Sequence, residues 1–169
     1  MLFRSGRDIL TFIPGDVPKD LGWHADRTLS AAASLIRRYH DATIGLLTVP
    51  SLFEVVCHND LSPCNCVFVA GEPVALIDFD AAAPGTRRSD LGYAAWLWLD
   101  LGNPDIAAAE QRRRLRLFAD AYDPTLDTVS VKQAILDRQQ ILIIEGSATG
   151  KTAMARWARD CRNWTQQNL

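Results

Sequence analysis

The sequence predicts an α-rich α+β fold built as one domain, and three observations lead to this prediction. The chain has 169 residues, of which 48% are hydrophobic and 22% charged, a size and composition typical of one globular domain with a buried core. Short apolar runs rich in β-branched residues lie before residue 80, whereas helical periodicity prevails after residue 85. Strands and helices do not alternate as in a βαβ series, so we expect a small β patch rather than a parallel sheet.

The first half of the chain carries the predicted strands and one predicted helix. An apolar run over residues 9–13 predicts a short strand that ends at the Pro-Gly pair of residues 14–15. Apolar side chains recur at helical spacing over residues 28–42, and the β-branched run over residues 53–57 predicts a second strand. Two further apolar runs joined across residues 71–73, Gly-Glu-Pro, predict a β-hairpin.

The second half of the chain is predicted to be helical once Pro84-Gly85 has ended the strand region. Gly102-Asn103-Pro104 and Asp123-Pro124 are turn signals that divide this part of the chain. The sequence therefore predicts helices at about 90–101, 106–121, 128–145 and 149–166.

Charge and hydropathy argue against several classes of partner. The net charge of −2 and the pI of about 5.9 leave no electrostatic footprint for nucleic acid. The most apolar segment, residues 91–102, is too short to span a bilayer, and the N-terminal residues do not resemble a signal peptide. We therefore expect no membrane partner, a cytoplasmic location, and reduced thiols at the four cysteines.

Two polar motifs follow the predicted strands and have the residue types of a phosphoryl-transfer site. The first is "HNDLSPCN", residues 58–65, which contains Asp60 and, five residues later, Asn65. The second is "IDFD", residues 77–80, which the predicted hairpin returns toward the first. Phosphoryl transfer needs a carboxylate to orient the attacking hydroxyl and oxygen ligands for Mg²⁺. Asp60 fits the first role, while Asn65 and Asp78 fit the second.

Three other patterns suggest different chemistry. A zinc site is one alternative, formed by Cys57, His58, Cys64 and Cys66. The spacing of these residues does not match the usual spacing of zinc ligands. "EGSATGKT", residues 145–152, resembles a P-loop but has three residues, not four, between its glycines. Acidic residues of the helical part could line a pocket for a cationic substrate or could form a solvated surface; these residues are Asp100, Asp105, Glu110, Asp120 and Asp123.

"CHNDLSPCN" together with "LIDFDAAAPGTRRSDLGYAAW" resembles the aminoglycoside phosphotransferase family, also called the phosphotransferase enzyme family, which has a protein-kinase-like fold. The resemblance extends from about Ile9 to about Tyr122 and rests on the combined spacing of the two motifs. It implies an ATP-dependent or other NTP-dependent phosphotransferase that uses Mg²⁺ and acts on a hydroxyl of a small molecule.

The resemblance also implies a role for individual residues. Asp60 corresponds to the family's catalytic base, and Asn65 and Asp78 correspond to its Mg²⁺ ligands. His58 corresponds to the histidine that anchors the catalytic loop. Asp90 corresponds to the aspartate at a helix start that accepts backbone N–H groups of that loop.

The segment "TFIPG", residues 11–15, resembles the family's hinge, in which backbone groups contact the adenine. By this resemblance the backbone of Phe12 and Ile13 binds the nucleotide. Asp80 corresponds to a residue that assists metal binding or forms a hydrogen bond with the loop.

The resemblance predicts a division of residues 1–169 within one domain. Residues 1–15 would form the hinge-like strand, and residues 16–169 the C-terminal lobe of a kinase-like fold, with catalytic loop 58–65 and metal motif 77–80. The Gly-rich loop and strand lysine of an N-terminal nucleotide lobe have no counterpart in the sequence. We therefore expect an exposed apolar patch near the hinge, with self-association through it. The alternative function is a non-catalytic, truncated lobe that serves as a binding module.

Overall fold

The computed structural model describes residues 2–4, 7–9, 11–46 and 53–169, with side chains for 11–46 and 53–169. These residues form a mostly helical α+β domain, as predicted. Its helices are α1 Asp26–Thr43, α2 Arg87–Trp98, α3 Ala108–Tyr122, α4 Thr128–Ala148 and α5 Thr152–Asn168. Its strands are β1 Leu2–Arg4, β2 Arg7–Ile9, β3 Val55–Cys57, β4 Cys66–Val69, β5 Glu72–Leu76 and β6 Ala83–Gly85.

The strands within the described residues pair as three small antiparallel sheets, β1–β2, β3–β6 and β4–β5. The β4–β5 hairpin confirms the predicted one, with Cys66 opposite Leu76 and an irregularity between Val67 and Phe68. Its turn is Ala70-Gly71, both with positive φ, so β5 already begins at Glu72. Strand β6 was not predicted; it pairs with β3, with Cys57 opposite Ala83.

The strand predicted over residues 9–13 is wrong in its position. Strand β2 ends at Ile9, and residues 11–15 form no strand; the side chain of Phe12 is 83% exposed. An apolar run makes a strand only where another strand can pair with it, and Pro14 lacks an N–H to donate. After residues 11–15, the next backbone pairing is made by Asp16, whose N–H donates to the carbonyl of Phe68 at 2.9 Å.

Helix α2 lies at the centre of the core, in contact with α1, α3 and α4. Trp96 and Trp98 of α2 are almost completely buried and form one apolar cluster with Leu29 of α1 and Phe118 of α3. Helices α2 and α4 approach so closely at Gly92 that a Cβ there would lie 2.5 Å from the backbone of Ala134. This packing fixes the start of α2, which lies beside loop 58–65. Within the described ranges, every helix is too short or too polar to cross a bilayer.

Candidate active site

Loop 58–65 begins where β3 ends and closes on itself through hydrogen bonds. The N–H of Ser62 donates to the carbonyl of Asp60 at 2.9 Å, and a 3-10 turn, Pro63–Asn65, leads into β4. The side-chain amide nitrogen of Asn65 donates to the carbonyl of Asp60 at 2.9 Å and to its carboxylate at 2.8 Å. The structure thus brings together the predicted base and the first predicted metal ligand.

Asp90, in the first turn of α2, holds the start of this loop. Its carboxylate is buried and accepts the backbone N–H groups of His58 and Asn59, each at 2.8 Å. It also lies 3.0 Å from Nε2 of His40, whose other ring nitrogen lies 2.8 Å from the hydroxyl of Tyr122. A carboxylate is suited to this place because a buried N–H without an acceptor would destabilise the fold.

Residues 77–80 are tied to loop 58–65 through the backbone of Ile77. Nε2 of His58 lies 2.9 Å from the carbonyl of Ile77, and the N–H of Ile77 donates to the carbonyl of Asn65 at 3.0 Å. Asp78, the next residue, is therefore a neighbour of Asn65 and has a left-handed φ of 62°. Phe79 packs on the buried ring of His58, with 4.6 Å between ring centroids.

The arrangement around Asn65 suits a hard divalent cation. Because the amide nitrogen of Asn65 is committed to Asp60, its amide oxygen is the atom left to coordinate a metal. Asp78 adds an exposed carboxylate, and Asp80 is exposed two residues further on. Residues 11–46 and 53–169 contain no group of three or more His, Cys, Asp or Glu side chains able to hold a metal. Mg²⁺ does not need such a group, because it retains waters and binds phosphates beside one or two carboxylates. The residues fit Mg²⁺, and their assignment as its ligands stays a prediction.

Tyr93 and Arg138 reach this site and were not predicted. The hydroxyl of Tyr93 donates to the second carboxylate oxygen of Asp60 at 3.0 Å. Arg138 of α4 donates to the carbonyl of Asn59 at 2.9 Å. Tyr93 lies three residues after Asp90 on one face of α2, a helical spacing that could have identified it. No pattern in the sequence marks Arg138.

The hinge-like segment places its apolar side chains at the surface. Phe12 is almost fully exposed and Ile13 is 37% exposed. Val17 and Val69, on either side of the Asp16–Phe68 pairing, are also exposed. Nucleotide binding by the backbone of Phe12 and Ile13, and self-association through this surface, stay predictions.

The acidic residues of the helical part separate into two groups. Asp100, Asp105 and Glu110 line one side of a cavity of about 590 Å³, together with Trp23. Asp123 instead pairs with Arg37 at 2.7 Å, and the exposed Asp120 lies beside Arg116 at another surface depression. Only part of the predicted acidic set therefore shares a cavity.

The cysteines do not come together with His58 as a metal-binding group in the described residues. Cys57, Cys66 and Cys161 are buried, and Cys64 is partly exposed. Burial raises the pKa of the Cys57 and Cys66 thiols to about 12, so both stay protonated at neutral pH when no metal is bound.

Comparison with known proteins gives three findings. Residues 16–125 match the phosphotransferase enzyme family, a range that includes loop 58–65, residues 77–80 and Asp90. The trifolitoxin immunity protein of Rhizobium leguminosarum bv. trifolii is 28% identical over an alignment of 137 positions, and the match covers 69% of this chain and 52% of that protein. The chain thus spans about half the length of this curated relative. No solved structure matches the chain.

Proposed function

The chain belongs to the phosphotransferase enzyme family, and from this premise we propose that it transfers the γ-phosphate of ATP, or of another nucleoside triphosphate, to a hydroxyl of a small molecule. The observation that carries the proposal is the pair of hydrogen bonds made by Ile77. These bonds, to His58 and Asn65, hold the backbone just before Asp78 against the loop that carries Asp60 and Asn65, which supports a shared role for the three residues.

The reaction needs little covalent chemistry from the protein. The acceptor oxygen forms a bond to the γ-phosphorus, and the bond from that phosphorus to the β–γ bridging oxygen breaks. The nucleoside diphosphate leaves with the electron pair, and the hydroxyl proton passes to the carboxylate of Asp60. Positioning and electrostatic stabilisation therefore account for most of the rate enhancement.

The chain's own residues supply this positioning. Asp60 orients the acceptor hydroxyl, with its carboxylate held by hydrogen bonds from Asn65 and Tyr93. Asn65 and Asp78 would hold Mg²⁺, which when bound neutralises charge on the phosphates. His58 and Asp90 maintain the loop, while Asp80 would assist metal binding or form a hydrogen bond with the loop.

The test measures transfer of labelled phosphate from γ-labelled Mg-ATP to an acceptor by the purified chain. The acceptors are aminoglycosides and other small polyhydroxy compounds, and ATP hydrolysis without an acceptor gives the baseline. We expect Mg²⁺-dependent turnover that falls by about 10²–10⁴-fold in Asp60→Asn, because general-base catalysis contributes on this scale. Asp160→Asn, at an exposed position of α5, removes the same charge and should leave turnover unchanged. Absence of Mg²⁺-dependent turnover, or equal turnover in Asp60→Asn, would contradict the proposal.

The curated relative favours a second candidate function. Its name describes immunity to trifolitoxin, so a non-catalytic module that protects a cell by binding a toxin is the alternative. The two functions differ in their response to one substitution. In a toxin-sensitive strain that expresses the chain, a binding module would still protect with Asp60→Asn, whereas an enzyme would not.

A further inference from the structure

Arg138 connects helix α4 to the backbone of loop 58–65. It lies 79 residues from Asn59 in sequence, yet its Nη2 donates to the carbonyl of Asn59 at 2.9 Å. Its guanidinium carbon also lies 4.7 Å from the ring centroid of Tyr93. Its Nε is buried and has no hydrogen-bond partner in the part of the chain that the structure describes. The guanidinium is therefore placed by these two contacts, one to the loop and one to Tyr93.

The peptide unit that Arg138 contacts is the one that joins Asn59 to Asp60. Its carbonyl accepts from Arg138, and its N–H, on Asp60, donates to Nδ1 of His58 at 3.3 Å. A peptide unit is planar, so contacts at both ends fix its orientation. That orientation in turn sets the direction in which the side chain of Asp60 leaves the backbone.

The backbone of Asn59 is held in an uncommon conformation. Its φ of 65° lies in the left-handed region, which asparagine adopts more readily than most non-glycine residues when its side chain forms a local hydrogen bond. Three hydrogen bonds hold Asn59 in place: from its N–H to Asp90, from its side chain to the carbonyl of Ala81, and from Arg138 to its carbonyl. Of these partners, only Arg138 comes from α4.

Tyr93 forms the second connection from Arg138 to Asp60. Its hydroxyl donates to one carboxylate oxygen of Asp60, while Asn65 donates to the other. Burial, and secondarily the charge of Asp60, raises the pKa of Tyr93 far above its ordinary value, so the phenol keeps its proton. The Tyr93 ring contacts the guanidinium of Arg138 and, in an edge-to-face arrangement, the indole of Trp96, whose centroid is 6.1 Å away.

We propose that Arg138 is a positioning residue for Asp60, acting through the Asn59–Asp60 peptide and through the ring of Tyr93. Helix α4 thereby sets the direction of the carboxylate that receives the hydroxyl proton. The inference rests on the proposed phosphotransfer, since it assigns to Arg138 the task of aligning that carboxylate.

The kinetic test uses turnover with Mg-ATP by variants of the full chain. Arg138→Met and Tyr93→Phe should each lower kcat by about 10–10²-fold, because small misplacements of a catalytic group have effects of this size. The KM for Mg-ATP should not change, and Arg138→Lys should recover part of the kcat. Arg159→Met, at an exposed position of α5, removes the same charge and should behave as the wild type.

A purely structural role is separated from positioning by repeating both substitutions in an Asp60→Asn background. If Arg138 and Tyr93 act through the Asp60 carboxylate, their effects on kcat should disappear there, since coupled residues are not additive. Equal effects in both backgrounds, an unchanged kcat in the wild-type background, or a change confined to KM would overturn the inference.

Amide hydrogen exchange tests the same inference without turnover. Arg138→Met should speed exchange in residues 58–66 and leave α1 and α3 unchanged, whereas Arg159→Met should alter neither region. Unchanged exchange in the loop would overturn the inference even if the wild type is active. If the wild type lacks turnover, the proposed function fails, and faster loop exchange still supports the positioning contact. Arg138→Gln, which removes the guanidinium but keeps a polar side chain, replaces Arg138→Met in this experiment if the latter does not fold.

Discussion

The side-chain amide nitrogen of Asn65 lies 2.8 Å from a carboxylate oxygen of Asp60. This contact orients Asn65 so that its oxygen faces away from Asp60. Asn65→Asp would replace the donor by a second carboxylate, and two carboxylates this close repel each other. We expect the melting temperature in EDTA to fall by at least about 3 °C, given a lost bond to a charged group of about 1.5–3 kcal/mol.

Mg²⁺ should reverse much of this loss in Asn65→Asp, because a cation between two carboxylates removes their repulsion. Thermal denaturation in EDTA and in millimolar Mg²⁺ measures this effect. Asn163→Asp, at an exposed position of α5, adds the same charge and should show neither the loss nor the recovery. An equal response of both variants to Mg²⁺ would contradict a cation site at Asn65.

Replacement of Asp90 should destabilise the whole domain. Asp90→Asn leaves one oxygen to accept the two backbone N–H groups of His58 and Asn59, and points an NH₂ group at one of these donors. We expect a loss of about 3 kcal/mol or more in the free energy of unfolding, measured by urea denaturation, because a buried charged acceptor is removed. A loss below about 1 kcal/mol would mean that the loop does not depend on this carboxylate.

The contact between α2 and α4 should not tolerate a side chain at Gly92. In Gly92→Ala the new Cβ would lie 2.5 Å from backbone atoms of Ala134, which cannot rotate away. Gly146→Ala is the matched control, since its Cβ would lie 3.0 Å from the nearest atom, the side chain of Ala155. We expect Gly92→Ala to lose about 1–3 kcal/mol or more of stability and Gly146→Ala clearly less. Equal losses in urea denaturation would show that the two helices separate readily.

His24 should make stability depend on pH. Burial lowers its pKa below the ordinary 6.5, although the carbonyl of Leu21, which lies 2.7 Å from its Nε2, opposes the shift. The unfolded chain therefore binds a proton at higher pH than the folded chain does. The free energy of unfolding should fall as the pH is lowered through 6.5, and the contribution of His24 is fully present only above that value.

The measurement is the melting temperature at about pH 7.5 and about pH 5.5 for the wild type and for His24→Gln. Glutamine can still donate to Leu21 but does not titrate in this range. The decrease on acidification should be smaller in His24→Gln. A decrease of the same size in both proteins would show that other groups cause the pH dependence.

The helical part of the fold could be predicted from the sequence because its signals are local. The helix predicted over residues 128–145 corresponds to α4, which ends at Ala148, and the breaks at 102–104 and 123–124 separate helices as expected. Strand β6 could not be predicted, since Ala-Pro-Gly has the composition of a turn and becomes a strand only by pairing with β3. The strand predicted over residues 9–13 shows the opposite case. Its apolar composition is typical of a strand, but residues 11–13 do not pair with another strand in the described part of the chain.

The candidate site divides in the same way. The approach of residues 77–80 to loop 58–65 could be predicted because a hairpin joins the two motifs. The roles of Asp60, Asn65 and Asp78 stay predictions. Tyr93 and Arg138 reach the site from helices whose approach depends on packing, at separations of 33 residues from Asp60 and 79 from Asn59. The helical spacing from Asp90 could have identified Tyr93, but the contact made by Arg138 leaves no periodic pattern in the sequence.

Thermal denaturation of the purified chain with and without Mg-ATP, alongside Asp78→Asn, tests the proposed magnesium–nucleotide site most directly. A ligand at about 100 times its dissociation constant adds about 2.7 kcal/mol to the free energy of unfolding, which gives a measurable shift. We expect an increase in melting temperature that requires both Mg²⁺ and ATP and is lost in Asp78→Asn. An unchanged melting temperature at millimolar Mg-ATP, or the same increase in Asp78→Asn, would contradict a magnesium–nucleotide site at Asn65 and Asp78.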